Sequence, residues 1–347
     1  MTTDTTGRHT PTTPEHPRDW VRVLARYRDP HHGRSLFELA VSVGPLLALW
    51  AAALAVLPVS GWLALGLSVV NALFLVRVFM IQHDCGHGAF FRPRAVNDWV
   101  GRALGVLTCT PYDVWRRKHA IHHATAGNLD ARGTGDIPTL TVEEYRAMRW
   151  PMRLAYRLYR NPLVVFGLAP TYVFVFQNRL PFGVMRDGWR VWVSAMATNA
   201  ALAVAVTGIV WLGGWAALWL VFVPTLLVAA SIGIWLFYIQ HQFEHTHWDR
   251  GEDWQLHESA LHGASHYDLP AVLRWFTANI GIHHVHHLYA RIPFYRLTEV
   301  LRDHPPLAEA QRVTLRESLH CARLHLWDEG RQRLLSFAEA RHVAPAA

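Results

Sequence analysis

Two long stretches of the chain contain neither a charged residue nor a histidine. They cover residues 39–76 and 191–240. An α-helix rises about 1.5 Å per residue and the apolar core of a bilayer is about 30 Å thick. Each stretch is therefore long enough to cross a membrane twice, and too long to be one ordinary crossing.

Helix-breaking residues interrupt both stretches near their middle. The first contains Pro58 and Gly61, and the second contains Gly213 and Gly214. Proline removes a backbone donor and glycine permits a tight turn, so both places favour a reversal of the chain. The pattern predicts four transmembrane helices in two hairpins, at about 37–57, 62–82, 191–212 and 215–238.

The remaining pattern divides the chain into a membrane domain (36–300) and two polar ends. The stretch 163–176 is apolar but short and contains Pro170, which predicts an interfacial helix and not a fifth span. Residues 1–35 form a polar, basic tail. In residues 301–347, Leu315, Leu319 and Leu326 recur at roughly helical spacing, which predicts an amphipathic cytosolic tail.

The distribution of basic residues predicts the orientation. Both hairpin turns lack Lys and Arg, while the basic residues fall on the other side of the predicted spans. The positive-inside rule then places both termini and the polar segments in the cytosol. We expect an all-α, multi-pass integral protein of a bacterial-type inner or plasma membrane, with a cytosolic helical cap.

Composition narrows the class of protein. Hydrophobic residues make up 51% of the 347 positions and charged residues 17%, which excludes a disordered chain. The formal charge of +7 would suggest nucleic acid in a soluble protein, but in a membrane protein the placement of charge matters more, so we expect no nucleic-acid partner. The three cysteines form no CxxC pair, which excludes a thiolate zinc ribbon.

Histidine is the residue type that indicates chemistry. The chain has 23 histidines, and twelve of them form four short clusters beside the predicted spans. These are His83 and His87; His119, His122 and His123; His241, His245 and His247; and His283, His284, His286 and His287. Spacings of three and four residues put imidazoles on one helix face, where they can share a metal ion.

The number of imidazoles favours two metals, since eight or more are too many for one tetrahedral zinc. Spacing alone leaves iron, copper, nickel and zinc open. Soluble di-iron bundles use several buried Glu with Glu-x-x-His turns, and this chain lacks that set. His257 and His262 flank a segment one residue too long for the HExxH motif of zinc proteases.

The clusters together resemble the membrane fatty acid desaturase family. The matching text is HDCGHG at 83–88, HAIHH at 119–123, QHQFE at 240–244 and HHVHH at 283–287. GNLD at 127–130, TGDI at 134–137 and YDLP at 267–270 resemble its bacterial acyl-lipid Δ12-type branch. The resemblance covers about residues 35–300.

The resemblance implies a non-haem centre of two iron ions and O2-dependent introduction of a cis double bond into a fatty acyl chain. The Δ12-type likeness implies a lipid-linked C16 or C18 chain. The implied ligands are nine histidines: His83, His87, His119, His122, His123, His241, His283, His286 and His287.

His245 lies four residues after His241, where relatives often carry an acid, and is a possible extra ligand. Metal-bound histidines usually donate their second N–H to a carboxylate or carbonyl, and the polar neighbours for that role are Asp84, Asn128, Asp130 and Asn279.

No fused electron carrier is visible in the sequence, because a Gly-rich dinucleotide loop and a cytochrome b5-like segment are both missing. Electrons would come from a ferredoxin or a cytochrome b5-type donor with its reductase, and the substrate would be a lipid-linked or thioester acyl chain. A hydroxylase, acetylenase or other lipid oxygenase on the same scaffold is the alternative. A polytopic metal transporter is a remote one, since transporters place ligands near the bilayer midplane and the uncharged stretches have no histidine.

Overall fold

The part of the protein up to Thr125 that the structure describes is mostly helical. The structure, a computed structural model, describes residue 14 and residues 16–133 and 135–343. Its first five helices are α1 Pro17–Leu24, α2 His32–Val56, α3 Gly61–His87, α4 Arg94–Leu107 and α5 Tyr112–Thr125. Trp20 and Leu24 of α1 are buried against the body of the protein. The predicted polar tail is therefore partly packed, while its residues 1–13 and 15 lie outside the described residues.

Three helices are long and apolar enough to cross a membrane, judged by length and composition. They are His32–Val56, Gly61–His87 and Trp189–His241. The third consists of α9 Trp189–Ala217, a π-helical turn Leu218–Phe222 and α10 Val223–His241. α3 lies between α2 and α10 and packs against both.

The segment Trp189–His241 is not straight. Gly214 has φ of +69° and ψ of −179°, a conformation essentially restricted to glycine. Near one end Ser194 Oγ accepts the Asp113 N–H at 3.1 Å, and at the other end His241 Nε2 lies 3.1 Å from His122 Nε2. Asp113 and His122 both belong to α5, whose 14 residues span about 21 Å. A straight helix from 194 to 241 would be about 70 Å long, so the segment must fold back.

Local signals set the limits of α3. Ser60 Oγ accepts the Leu63 N–H at 3.2 Å and caps the first turn. Gly88, with φ of +69°, ends the helix directly after His87. The HxxxH pair therefore occupies the last two turns of this helix.

The segment between α5 and α9 contains short elements. These are β1 Leu140–Thr141, α6 Val142–Ala147, α7 Trp150–Tyr159, a π-helical turn Val164–Leu168, α8 Ala169–Thr171, a second π-helical turn Tyr172–Phe176 and a 3₁₀ turn Gln177–Arg179. The stretch predicted as a helix at 163–176 is thus helical throughout. Its outer face exposes Leu168 and Phe176, and its inner face packs on α10.

The last hundred residues contain short helices and strands. They are α11 Leu256–His262, β2 His266–Asp268, α12 Ala271–Phe276, α13 His283–Leu288, α14 Leu297–Asp303, α15 Pro305–Glu309, β3 Arg312–Thr314, α16 Leu315–Cys321, β4 Leu326–Asp328 and β5 Arg333–Leu335. Strands β2 and β3 pair in parallel. Strand β4 pairs in parallel with β1 and antiparallel with β5.

Residues 301–343 do not form a single helix, although the spacing of their leucines is roughly helical. Leu315 and Leu319 lie on α16 and are exposed, whereas Leu326 lies on β4 and is fully buried. The tail is divided because β4 and β5 form a hairpin that buries Trp327 and Leu334 against the rest of the protein. Burial across this sheet overrides the helical spacing of the leucines.

Candidate metal centre

Nine histidine side chains converge in two neighbouring groups. The first group is His83, His87, His119, His123 and His286, and the second group is His122, His241, His283 and His287. In each group one ring nitrogen from every residue lies within 4.8 Å of all the others. These are the nine residues that the family resemblance implies as ligands.

Four segments supply the histidines. The last two turns of α3 supply His83 and His87, and the end of α10 supplies His241. Helices α5 and α13 each supply three. The i and i+4 residues of α5, His119 and His123, enter the first group, while His122 enters the second.

Helix α13 supplies two histidines to the second group and one to the first, which is the reverse of α5. His283 and His287 enter the second group and His286 enters the first. The two groups are adjacent, since the rings of His123 and His287 stack with centroids 4.1 Å apart. Each HxxHH frame therefore bridges the two groups.

The contacts within the groups fit a bound cation. His119 Nε2 lies 3.0 Å from His83 Nε2 and 3.1 Å from His123 Nε2. A neutral imidazole nitrogen carries either one lone pair or one N–H in the ring plane, which cannot serve two partners in different directions. In addition, His87 Nε2 is buried without a hydrogen-bond partner among the described residues. A metal ion among these nitrogens would take their lone pairs.

Burial lowers the pKa values of several histidines in the two groups. Burial, reinforced by neighbouring imidazoles, holds the pKa values of five histidines well below the ordinary histidine value: His119, His123, His283, His286 and His287. Neutral imidazole is the form that binds metals.

Oxygen acceptors fix the ring orientation in the second group. His122 Nδ1–H donates to Asp136 Oδ1 at 2.5 Å, and His241 Nδ1–H donates to the Gly263 carbonyl at 3.1 Å. Each bond directs the other ring nitrogen, Nε2, toward the group. Asp136 belongs to the TGDI stretch, and its role as an acceptor for His122 is not apparent from the sequence.

Of the predicted supporting residues, Asp84 is the one beside a group. Its Oδ1 lies 3.4 Å from His83 Nδ1, and its Oδ2 accepts the Phe294 N–H at 2.7 Å. Asn128 Oδ1 accepts the Asp130 N–H within its own turn. Asp130 pairs with Arg250 at 2.8 Å.

Two further predicted residues lie away from the groups. Asn279 donates to the Phe294 carbonyl at 3.0 Å, and its recorded bond leads to the backbone and not to an imidazole. His245 is exposed and belongs to neither group among the described residues. His284, the variable residue of HxxHH, is buried and contacts the Leu307 carbonyl at 2.8 Å through Nε2.

Two aromatic residues beside the groups escaped the sequence analysis. The indole of Trp115 stacks on His119 with centroids 4.5 Å apart. The ring of Phe237 lies 5.1 Å from that of His122 and 5.4 Å from that of His241. Trp115 and Phe237 each precede a histidine of a group by four residues, and that helical spacing could have revealed them.

Comparison with known proteins agrees with this geometry. A fatty acid desaturase of Bacillus subtilis is 42% identical over 323 residues, covering 93% of this chain and 91% of the relative. An sn-1 acyl-lipid omega-3 desaturase (ferredoxin) of Synechocystis sp. is 29% identical over 68% of this chain and 66% of the relative. An sn-1 oleoyl-lipid 12-desaturase of Synechocystis sp. is 28% identical over 70% of this chain and 66% of the relative.

The family model named fatty acid desaturase matches residues 60–318, which include all nine histidines of the two groups. The resemblance found in the histidine motifs is therefore confirmed. The chain belongs to the fatty acid desaturase family and is an oxidoreductase.

Proposed function

We propose that the protein uses two iron ions and O2 to introduce a cis double bond into a lipid-linked C16 or C18 acyl chain. The observation that carries this proposal is the convergence of nine imidazoles from four segments into two adjacent groups. The first group would hold one iron and the second group the other. Iron bound there would supply the oxidising power that removal of two hydrogens from an unactivated chain requires.

The protein's own residues would orient the ligands and exclude water. Asp136 and the Gly263 carbonyl hold the Nδ1 protons of His122 and His241, so that both Nε2 lone pairs face the second group. Trp115 and Phe237 cover the outer sides of His119 and His122 with apolar surface. Such cover protects a reactive centre from side reactions with water.

We further propose four membrane crossings with both termini and both histidine groups in the cytosol. The reversal at Gly214 supports two crossings within Trp189–His241. The histidines at the ends of α3 and α10 lie together, which supports a cytosolic cap at that end of the spans. The apolar outer face of 163–176 supports an interfacial position for this stretch.

The position of the new double bond is proposed from relatives. The named 12-desaturase acts on an oleoyl lipid, while a relative of similar identity is an omega-3 desaturase. We infer a second double bond in a monounsaturated chain. Hydroxylation, acetylenation or another oxygenation on the same scaffold is the alternative outcome.

Electrons would come from a separate carrier, a ferredoxin or a cytochrome b5-type protein with its reductase. One Synechocystis relative carries ferredoxin in its name. The net charge of +7 favours an acidic carrier, whose association would weaken as salt increases. Purified protein should turn over with reduced carrier and O2, and full turnover with NAD(P)H and O2 alone would contradict this.

The test is expression in a host rich in oleate, with analysis of lipid fatty acids and of iron in the purified protein. We expect a new diene and about two irons per chain. His123→Ala and His286→Ala should abolish the diene, whereas alanine at the exposed His342 should leave it intact. A hydroxylated or acetylenic product would overturn desaturation, and zinc in place of iron would overturn the metal assignment.

A further inference from the structure

Arg160 is a fully buried cation with no carboxylate partner among the described residues. It caps the C-terminus of α7, and only 1% of its surface is exposed. Burying a charged group is costly unless it is well hydrogen-bonded. A buried cation of this kind is therefore expected to have a role other than filling space in the core.

The guanidinium donates to neutral oxygens of three separate segments. Its NH1 donates to the Pro138 carbonyl at 3.0 Å and to Thr139 Oγ1 at 3.2 Å. Its NH2 lies 2.8–2.9 Å from Tyr238 Oη, Gln242 Oε1 and the Leu324 carbonyl. A planar fork of five N–H groups can bridge such a set, and a lysine ammonium cannot.

Two of these segments position histidines of the second group. Pro138 follows Asp136, whose carboxylate holds His122, by two residues. Gln242 directly follows His241, and Tyr238 lies one turn before it on α10. Thr139 Oγ1 also donates to Gln242 Oε1 at 3.0 Å, which joins the two segments a second time.

The third segment connects this network to the C-terminal hairpin. Tyr238 Oη donates to the Leu324 carbonyl at 2.7 Å, two residues before β4. Among the described residues, the hydrogen bonds of Arg160 reach neither α3 nor α13. The segments that Arg160 joins hold His122 and His241, which are both histidines of the second group.

We propose that Arg160 is a positioning residue that holds His122 and His241 together and so sets the affinity of the second group for its metal. This inference rests on the proposed two-metal function. Loss of the guanidinium would leave the Pro138 carbonyl without a donor and would take one of two donors from Gln242 Oε1 and from the Leu324 carbonyl. The bond from Thr139 to Gln242 would then hold the Asp136 segment to the end of α10 alone, which would loosen the pair His122 and His241. Loss of such outer support typically weakens metal binding about 10–100-fold.

The experiment is anaerobic loading of full-length, metal-free protein with Fe(II), followed by removal of free metal and measurement of iron per chain. Arg160→Met should retain about one iron where the unsubstituted protein retains about two. Arg160→Lys, which keeps the charge but not the fork, should give an intermediate value. The matched control is Arg157→Met, because Arg157 is exposed on the same helix and donates to Tyr145 Oη instead.

A second readout separates positioning from general stability. The thermal midpoint of the metal-free Arg160→Lys protein should stay close to that of the Arg157→Met control while its second iron binds at least about tenfold more weakly. Two tightly bound irons in both Arg160 variants, or equal loss of both irons, would overturn the inference. If Arg160→Met does not accumulate, Arg160→Lys alone decides. Fewer than two irons in the unsubstituted protein would instead contradict the proposed metal assignment.

Discussion

Gly86 lies under the indole ring of Trp115, between the two histidines of the HxxxH pair. A Cβ atom at position 86 would lie 2.6 Å from Trp115 Cζ3, far inside normal contact distance. Trp115 in turn stacks on His119 and lies 5.5 Å from the ring of His83. Glycine is therefore needed here for space, since its helical backbone would accept alanine.

We predict that Gly86→Ala displaces Trp115 and disturbs the first group. Overpacking of this kind costs about 1–3 kcal/mol of stability. Loss of ring support for His119 and His83 should lower desaturation at least about tenfold. Thermal midpoint and fatty acid analysis in the expression host measure the two effects.

Gly66→Ala is the control, because position 66 lies on the same helix α3 with no atom within 4 Å of an added Cβ. It should retain wild-type activity and stability. Unchanged activity in Gly86→Ala would show that Trp115 does not support the histidines.

At the scale of elements, α5 and α13 carry the same HxxHH frame in different roles. On α5 two histidines serve the first group and one serves the second, and on α13 the division is reversed. Helical spacing explains why three imidazoles share a face, because residues three and four apart are neighbours. The division of the histidines between the two groups depends on where α3 and α10 approach α5 and α13. The spacing of residues along one helix does not predict where another helix packs.

The C-terminal tail shows the opposite result, in which local spacing was misleading. Leu319 is 64% exposed on α16, while Leu326 is 0% exposed on β4. We predict that Leu326→Ala costs about 2–5 kcal/mol by leaving a cavity. Leu319→Ala should change stability by less than about 0.5 kcal/mol. Unfolding of the two variants in one detergent, followed by circular dichroism, gives the comparison.

The same pair of variants distinguishes a single amphipathic helix in this tail from the helix and strand of the structure. A surface helix with both leucines on one apolar face would give similar effects at the two positions. Equal destabilisation would therefore argue against the strand assignment of Leu326.

At the scale of the whole molecule, the two hairpin turns and the histidine groups should lie on opposite sides of the membrane. Val59 and Leu212 are 86% and 79% exposed at the two turns, and Arg186 is exposed just before α9. We predict that cysteines at 59 and 212 react with a membrane-impermeant maleimide added to intact cells. A cysteine at 186 should react only after the cells are permeabilised.

The unsubstituted protein is the control for this labelling, because Cys85 and Cys321 are buried and Cys109 is partly buried. Labelling of position 186 from outside would rule out the proposed orientation. Failure of position 212 to react would argue against a hairpin at Gly214.

Features that depend on short stretches of chain could be predicted from the residues alone. Uncharged runs indicated the apolar helices, although the predicted second helix ended at 82 and α3 continues to His87. Spacings of three and four residues selected histidines that share a helix face. Family resemblance supplied the set of nine, and all nine lie in the two groups.

The division of those histidines between the two groups, and the contacts that support them, depend on long-range packing. Several of these contacts join distant parts of the chain. They include the partners of His122, the pairing of β4 with β1, and the contacts of Arg160 with segments 22, 82 and 164 residues away. Such contacts arise from helix packing and from burial of polar groups, which must find partners wherever the fold provides them. A local sequence pattern does not predict these contacts, because each one forms between elements that are far apart along the chain.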